Sequence, residues 1–448
     1  MATAFINATI LDGTKDMTPQ ENMFVSVNDE GTIESVSPMS SFSASDCSKT
    51  IDLGGKYLMP GLINMHVHLC GDGRPRSADN AERTVRLALS NPIGRSVLKS
   101  ILKKSLQNQL ASGVTTVRSV GDPGFSDIAV RDQINSGKFE GPRLIASGCG
   151  ITVSNGHARL FAKTATSEEE ARALVREHYE KGADQIKLFI TGGVFDAEVE
   201  GEPGVLRMSQ EIASAICDEA RKLGLKTSAH IESAEGVEVG LKAGVDTIEH
   251  GAPLTEELID LFKNNGAGVK SSLTCTISPA LPFADFPPEL THSTHIQQVN
   301  GRVVYEGVVT AARQSLKEDI PVGLGTDSAC PFVTHYDMWR EVVYFQRHTG
   351  VSNAFALHTA TLKNAELLSV ADKTGSVEVG KSADFLIIDK NPLDNLMALR
   401  DANMVVMKGK VVKDAKVKHL PQLDTELDKL FDSLDKDSFV SEWGNYQR

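Results

Sequence analysis

SQEIASAICDEARKLGLKTSAH, residues 209–230, contains one complete helix-to-strand step. Ser209, followed by Gln210 and Glu211, is a helix opening: a serine oxygen accepts from the unpaired N–H groups of the first turn, and an early acid suits its partial positive charge. Leu223-Gly224 is the matching stop, because glycine enters the left-handed conformation of a helix end without steric cost. Lys226–His230 is then a short strand that ends on a histidine. The step repeats on both sides. Ser167–Lys181 and Thr255–Asn264 read as helices, with Lys181-Gly182 and Asn265-Gly266 closing them. Strands are expected at Leu62–His66, Val114–Ser119, Arg143–Ser147, Gln185–Ile190, Lys226–His230, Thr247–Glu249, Gly268–Leu273 and Val322–Thr326. Eight such units over roughly 270 residues predict an α/β chain folded as a (β/α)8 TIM-like barrel. An open doubly wound sheet is disfavoured because no G-x-G-x-x-G follows the first strand. Gly121, Gly124, Gly192 and Gly193 read as loop glycines.

The alternation has limits at both ends. Ala4–Leu11 and Met23–Val27 are strand-like, with a turn at Asp29-Glu30-Gly31. After about Leu368 short strands return at Gly375–Lys381, Ala383–Asp389, Met404–Met407 and Lys410–Lys413. The expected organisation is a barrel at 58–370 and a small β-sandwich domain built from both chain ends, residues 1–57 and 371–420. A charged amphipathic surface or oligomer helix follows at 421–448, and a homo-oligomer is expected. The 448 residues are 41% apolar and 23% charged, which fits a globular chain and excludes disordered or fibrous classes. Forty-six basic against fifty-nine acidic residues give −13, a field that repels phosphate backbones, so nucleic acid is not an expected partner. No run approaches eighteen apolar residues, so no membrane partner is expected, and the first residues lack the pattern of a secretory signal. Cys47, Cys70, Cys149, Cys217, Cys275 and Cys330 are widely spaced and never form C-x-x-C, which fits free thiols and a cytoplasmic location. Cys70 and Cys330 fall close to the motifs below and read as buried thiols.

Strand ends carry the chemistry. In His66-Val67-His68 the two imidazoles point to the same side, because side chains alternate along a strand. Alone that is a weak metal signal. His230 and His250 close the fifth and sixth strands, however, and Asp327 follows the eighth. Lys187, between Ile186 and Leu188, sits inside the fourth. In a (β/α)8 barrel these strand ends meet at one mouth, where active sites lie. Four imidazoles, a carboxylate and an inward lysine suit a divalent metal, zinc first and manganese, cobalt or nickel less selectively.

The motifs PGLINMHVHL (60–69), IKLFITGG (186–193), SAHIESAEG (228–236), GVDTIEHGA (244–252), GTDSA (325–329) and GSVEVGKSADFLIIDKNPL (375–393) resemble the amidohydrolase superfamily of metal-dependent hydrolases, over roughly residues 3–415. The resemblance is greatest to the prolidase-like dipeptidase and carboxypeptidase branch, near imidazolonepropionase. It implies two metal ions: His66, His68 and Asp327 on the first, His230 and His250 on the second, and Lys187 bridging both as an N6-carboxylysine. Carboxylation is needed because an ammonium offers only donors. It further implies a metal-bridged hydroxide that cleaves an amide bond in a small-molecule substrate, with Asp327 as the general base and acid. His157, in SNGHA, is implied as a second catalytic residue that contacts the substrate carbonyl, and His335 as a weaker substrate contact. The other histidines read as structural. One position departs from the pattern. Relatives have a tyrosine after the fifth-strand histidine to hold the substrate carboxylate, and here Ile231 stands there. Arg118, Arg159 or Lys270 are the candidate replacement cations.

The expected substrate is a dipeptide, an Xaa-Pro-like dipeptide or an N-acyl amino acid. The alternative is hydrolysis of a cyclic amide or ring C–N bond, as in imidazolonepropionase, whose relatives usually lack the bridging lysine and use one metal. A non-catalytic scaffold is the remote alternative, set aside because every ligand position is filled. The long loops 70–100 and 275–300 are expected to set substrate preference.

Overall fold

The computed structural model describes residues 2–75, 78–413 and 415–434. Its centre is made of parallel strands: β1 (Leu62–Val67), β2 (Val114–Ser119), β3 (Arg143–Ile145), β4 (Gln185–Phe189), β5 (Lys226–Ile231), β6 (Thr247–His250), β7 (Ser272–Cys275) and β8 (Val322–Leu324). β1, β2 and β3 form a three-stranded sheet in that order. β4 to β8 pair in sequence within a seven-stranded sheet, extended beyond β4 by Gly150–Val153 and Ala162–Ala165. Every residue of β1, β2, β4 and β6 is buried, as expected where both faces of a parallel sheet are covered. A bridge between Val67 and Ser328 ties the end of β1 to the residues after β8. Buried Asn364 adds to the tie: its amide nitrogen donates to Ile63 O at 2.7 Å and Leu324 O at 2.9 Å, and its oxygen accepts from Leu324 N at 2.9 Å.

The expected helices form with the expected ends. Ser167 Oγ accepts from Glu170 N, Ser209 Oγ from Ile212 N and Thr255 Oγ1 from Leu258 N. Three expectations need correcting. The seventh strand begins at Ser272 rather than Gly268, because Gly266 and Gly268 take φ of +72° and +71° and keep that stretch a turn. Residues 70–100 are largely the helices Ala78–Ser90 and Pro92–Ala111, and residues 275–300 hold the short helices Leu281–Asp285 and Pro288–Thr291 and the start of His295–Lys317, rather than loop. Gly375–Lys381 is no strand: it is held to the terminal sheet by single backbone bonds, Val377 N to Asp12 O, Gly380 N to Ile33 O and Ile33 N to Lys381 O, and an isolated bridge from Thr32 to Ser382 follows it.

Both chain ends share one eight-stranded mixed sheet, in the order 410–411, 404–407, 385–388, 57–60, 2–10, 20–27, 33–38, with 47–52 pairing 2–10. Phe5, Ile10, Val25, Leu58, Phe385 and Val406 lie in its core, which is separate from the large apolar core around the parallel sheets. The helix Pro421–Ser433 buries Leu423, Leu427, Leu430 and Phe431. Phe431 packs on Trp339 and Tyr344, and Asp428 pairs with Arg340 and Arg400. The apolar face of this helix is thus packed within the chain. Residues 435–448 of the expected C-terminal segment lie outside the described residues.

Candidate metal centre

The end of β1 and the turn after β8 are stitched together by their own backbone. Asp327 N donates to His66 O at 2.8 Å and His68 N to Ser328 O at 3.0 Å. Asn64 completes the seam: its oxygen accepts from Thr326 N at 3.0 Å and its nitrogen donates to Thr326 Oγ1 at 2.8 Å. Gly325 is required here, because a Cβ at that position would stand 2.5 Å from His66 Cβ. The result places His66 Nε2 and His68 Nε2 at 3.4 and 3.5 Å from the same Asp327 oxygen, Oδ1.

A second set forms on β5 and β6. His230, Glu232 and His250 bring one ligand-type atom each within 4.8 Å of one another, as do His66, His68 and Asp327. The two sets adjoin, since the His66 and His250 rings are 4.9 Å apart. Other residues aim the imidazoles. His66 Nδ1 meets Glu249 Oε2 at 2.7 Å, His68 Nδ1 meets Gly121 O at 2.8 Å, and His250 Nδ1 meets Thr276 Oγ1 at 2.7 Å. Each ring is thereby turned by one nitrogen while the other faces the shared space, the arrangement metal-ligating histidines use. Burial pushes His66, His230 and His250 well below the ordinary imidazole range, and neighbouring cationic or imidazole groups add to it. Neutral imidazoles are the form that ligates.

Lys187 lies fully buried among these groups, with its amine 5.2 Å from the centre of the Phe189 ring. Burial brings it down to about 8, against the opposing pull of Glu249 and Asp327. Buried polar atoms normally have partners. Lys187 Nζ, Asp327 Oδ1 and Glu232 Oε2 have no hydrogen-bond partner among the described residues. Two trios of nitrogen and oxygen donors and three orphaned polar atoms, one of them a buried amine, fit divalent metal binding.

The expected residues fare differently. His66, His68, Lys187, His230, His250 and Asp327 come together as described. His157 joins them: its ring stacks on His230 at 4.3 Å, and its Nδ1 meets Asp196 Oδ1 at 2.5 Å. Gly193 leaves room for that stack, since a Cβ there would stand 3.0 Å from His157 Cε1 and 3.1 Å from His230 Nε2. Arg159 is exposed on the same turn. Arg118 is not available to a substrate: it is buried and donates to Met65 O, Thr247 Oγ1, Thr274 Oγ1 and Glu249 Oε1. Lys270 precedes β7, at the strand end opposite the histidines. His335 uses both ring nitrogens inside the protein, Nε2 donating to Gly71 O at 2.8 Å and Nδ1 facing Gln109 Nε2 at 3.4 Å. It supports the loop after β1 in place of a substrate contact. Burial pushes the Cys70 and Cys330 thiols well up, so neither presents a thiolate.

Sequence reasoning missed Glu232, Glu249, Asp196 and Thr276. Glu232 was within reach of the rule applied to His66 and His68, because His230 and Glu232 are also two apart. The same alternation turns Ile231 away: its methyl groups pack where Cβ atoms on Gly236 and Gly240 would stand, 3.0 and 2.7 Å off. The other three depend on pairing between strands and loops that sequence spacing does not encode.

Comparison with known proteins adds a family. The amidohydrolase family model matches residues 57–412. A crystal structure of a candidate prolidase from Bifidobacterium longum is 37% identical, with a TM-score of 0.85 over 96% of this chain and 99% of that one. A Xaa-Pro dipeptidase with methionine bound in its active site is 29% identical, with a TM-score of 0.79 over 92% of this chain and all of that one. Ochratoxinase of Aspergillus niger is 26% identical over 383 residues, 79% of this chain and 74% of that protein.

Proposed function

The chain belongs to the amidohydrolase family, a hydrolase acting on C–N bonds, and from that premise we propose that it cleaves the amide bond of a dipeptide or N-acyl amino acid with two divalent metals. The observation that carries this reading is the pair of donor trios flanking the buried, unpartnered Lys187 amine. His66, His68 and Asp327 would hold one ion, and His230 and His250 the other, with Glu232 beside them. Lys187 would serve both as an N6-carboxylate, and zinc suits the donors best. When bound, the metals supply Lewis acidity and lower the pKa of water. Asp327 Oδ1, without a hydrogen-bond partner of its own, takes the proton of the attacking water and returns it to the leaving nitrogen. His157, oriented by Asp196, offers Nε2 as the remaining polar atom of its ring beside the reacting carbonyl.

In this reading the two parallel sheets are the wall of one (β/α)8 barrel, the site lies at its C-terminal strand ends, and the terminal sheet belongs to a β-sandwich domain. The ring-hydrolysing alternative is disfavoured by Lys187. All six cysteines are free, which supports a cytoplasmic location. Among the described residues no helix is long and apolar enough to cross a membrane.

The test is elemental analysis of protein produced with zinc or manganese, followed by a hydrolysis screen of dipeptides and N-acyl amino acids. About two metals per chain and turnover of an open-chain amide are expected. One metal per chain, unchanged by excess metal and bicarbonate, would move the assignment to mononuclear ring hydrolysis.

A further inference from the structure

The geometry points to Arg207 as the receptor for a carboxylate on the substrate, an inference that rests on the amide-hydrolase reading above. Arg207 sits in the strand-like return that follows β4. Its backbone N donates to Ile190 O at 3.0 Å, Leu206 bridges Thr191, and Gly192 N donates to Val205 O at 2.8 Å. The residue is therefore fixed to the segment immediately past the strand that carries Lys187.

Its side chain lies at the corner that holds His157 and His230. A Cβ on Gly192 would stand 3.8 Å from Arg207 Nε and 3.5 Å from Asp196 Oδ2. Gly192 O faces His230 Nε2 at 3.0 Å, and the other oxygen of Asp196 meets His157. Yet the buried Nε of Arg207 has no hydrogen-bond partner among the described residues, Asp196 included. The other orphaned atoms at this mouth, on Lys187, Glu232 and Asp327, belong to groups that can meet a cation once Lys187 is carboxylated. A guanidinium cannot, because it has donors only. A half-buried guanidinium whose inner Nε is left unpartnered has room for an anion, and its planar fork matches a carboxylate. The substrate's own carboxylate, next to the leaving nitrogen, is that anion. Arg207 thus fills the role for which Arg118 and Lys270 are wrongly placed.

Binding of methionine, a product-like amino acid with no acyl bond to cleave, and of methioninamide to the metal-loaded full chain, measured by calorimetry, tests this without requiring turnover. The parent should favour the acid by about 10²-fold. Arg207→Met should abolish that preference and Arg207→Lys should restore part of it, with circular dichroism checking the fold. The inference is overturned if the parent binds acid and amide equally. It is overturned also if Arg207→Met weakens both alike, or if Arg207→Met keeps the preference. Acid-selective binding that depends on Arg207, with no hydrolysis of any open-chain amide, would instead sink the amide-hydrolase reading and leave the carboxylate site standing.

Discussion

Asp327 has φ of +57° and His250 φ of +67°, a left-handed conformation that residues with a side chain rarely adopt. Strain of this kind collects at functional sites, where the surroundings hold it. At Asp327 the holding groups are visible: its own N–H is bonded to His66 O, and Gly325 lets the two segments approach. Asp327→Asn should therefore keep the fold and lose about 10²–10⁴-fold in kcat, because an amide cannot accept the water's proton. Steady-state kinetics beside a thermal melt checks it, and turnover within a few-fold of the parent would place the proton elsewhere. Lys187→Ala should lose the second metal and most activity, and added acetate or propionate should restore part by occupying the vacated space. Lys187→Arg should not be rescued, since its cation cannot be carboxylated in the same way. Normal turnover and two metals in Lys187→Arg would reduce the lysine to a packing residue.

Elements aim these residues through one another. The helix Met338–Thr349 sends Glu341 to the exit of β7, where it accepts from Ile277 N at 2.7 Å, Ser278 N at 2.9 Å and Ser278 Oγ at 2.5 Å. The neighbouring Thr276 is the partner of His250, so this carboxyl holds the segment that orients a ligand. Burial raises Glu341 to about 7 despite those donors. With the folded value above the ordinary one of about 4.3, the native state binds the extra proton. Its contribution is complete below the ordinary value and is lost as pH rises through about 7. Glu341→Gln stays neutral, so it should gain on the parent in thermal stability between pH 5 and pH 8. Parallel melting curves at constant gap would mean that the carboxyl titrates at its ordinary value.

At the scale of the molecule, the two donor trios come from opposite parts of the chain, one from β1 and the turn after β8, the other from β5 and β6. Any ligand that holds both trios stabilises the fold only in its native form. Saturation at a hundred times Kd corresponds to about 2.7 kcal/mol. Chelation should then lower Tm and zinc should restore it. A Tm indifferent to chelator would mean that the trios hold no metal.

The sequence alone carried the repeating helix-to-strand step, the capping serines and the residues that end the strands, because these follow from local rules of a few residues. Side-chain alternation likewise told which histidines share a face, and it would have told the same of Glu232. The terminal sheet was legible from both ends, although its pairing order was not. What needed the tertiary structure was every relation between distant segments. Arg118 looks like a free cation in sequence and is consumed by Glu249 and two threonines on other strands. His335 looks like a weak substrate contact on a loop and is fastened to Gly71. The helix at 421–433 reads only as a surface or oligomer helix, and its Phe431 packs on Trp339 and Tyr344. The physical reason is the same in each case. Burial and hydrogen bonding decide whether a polar group is spent or available, and the partners that decide it lie far away along the chain.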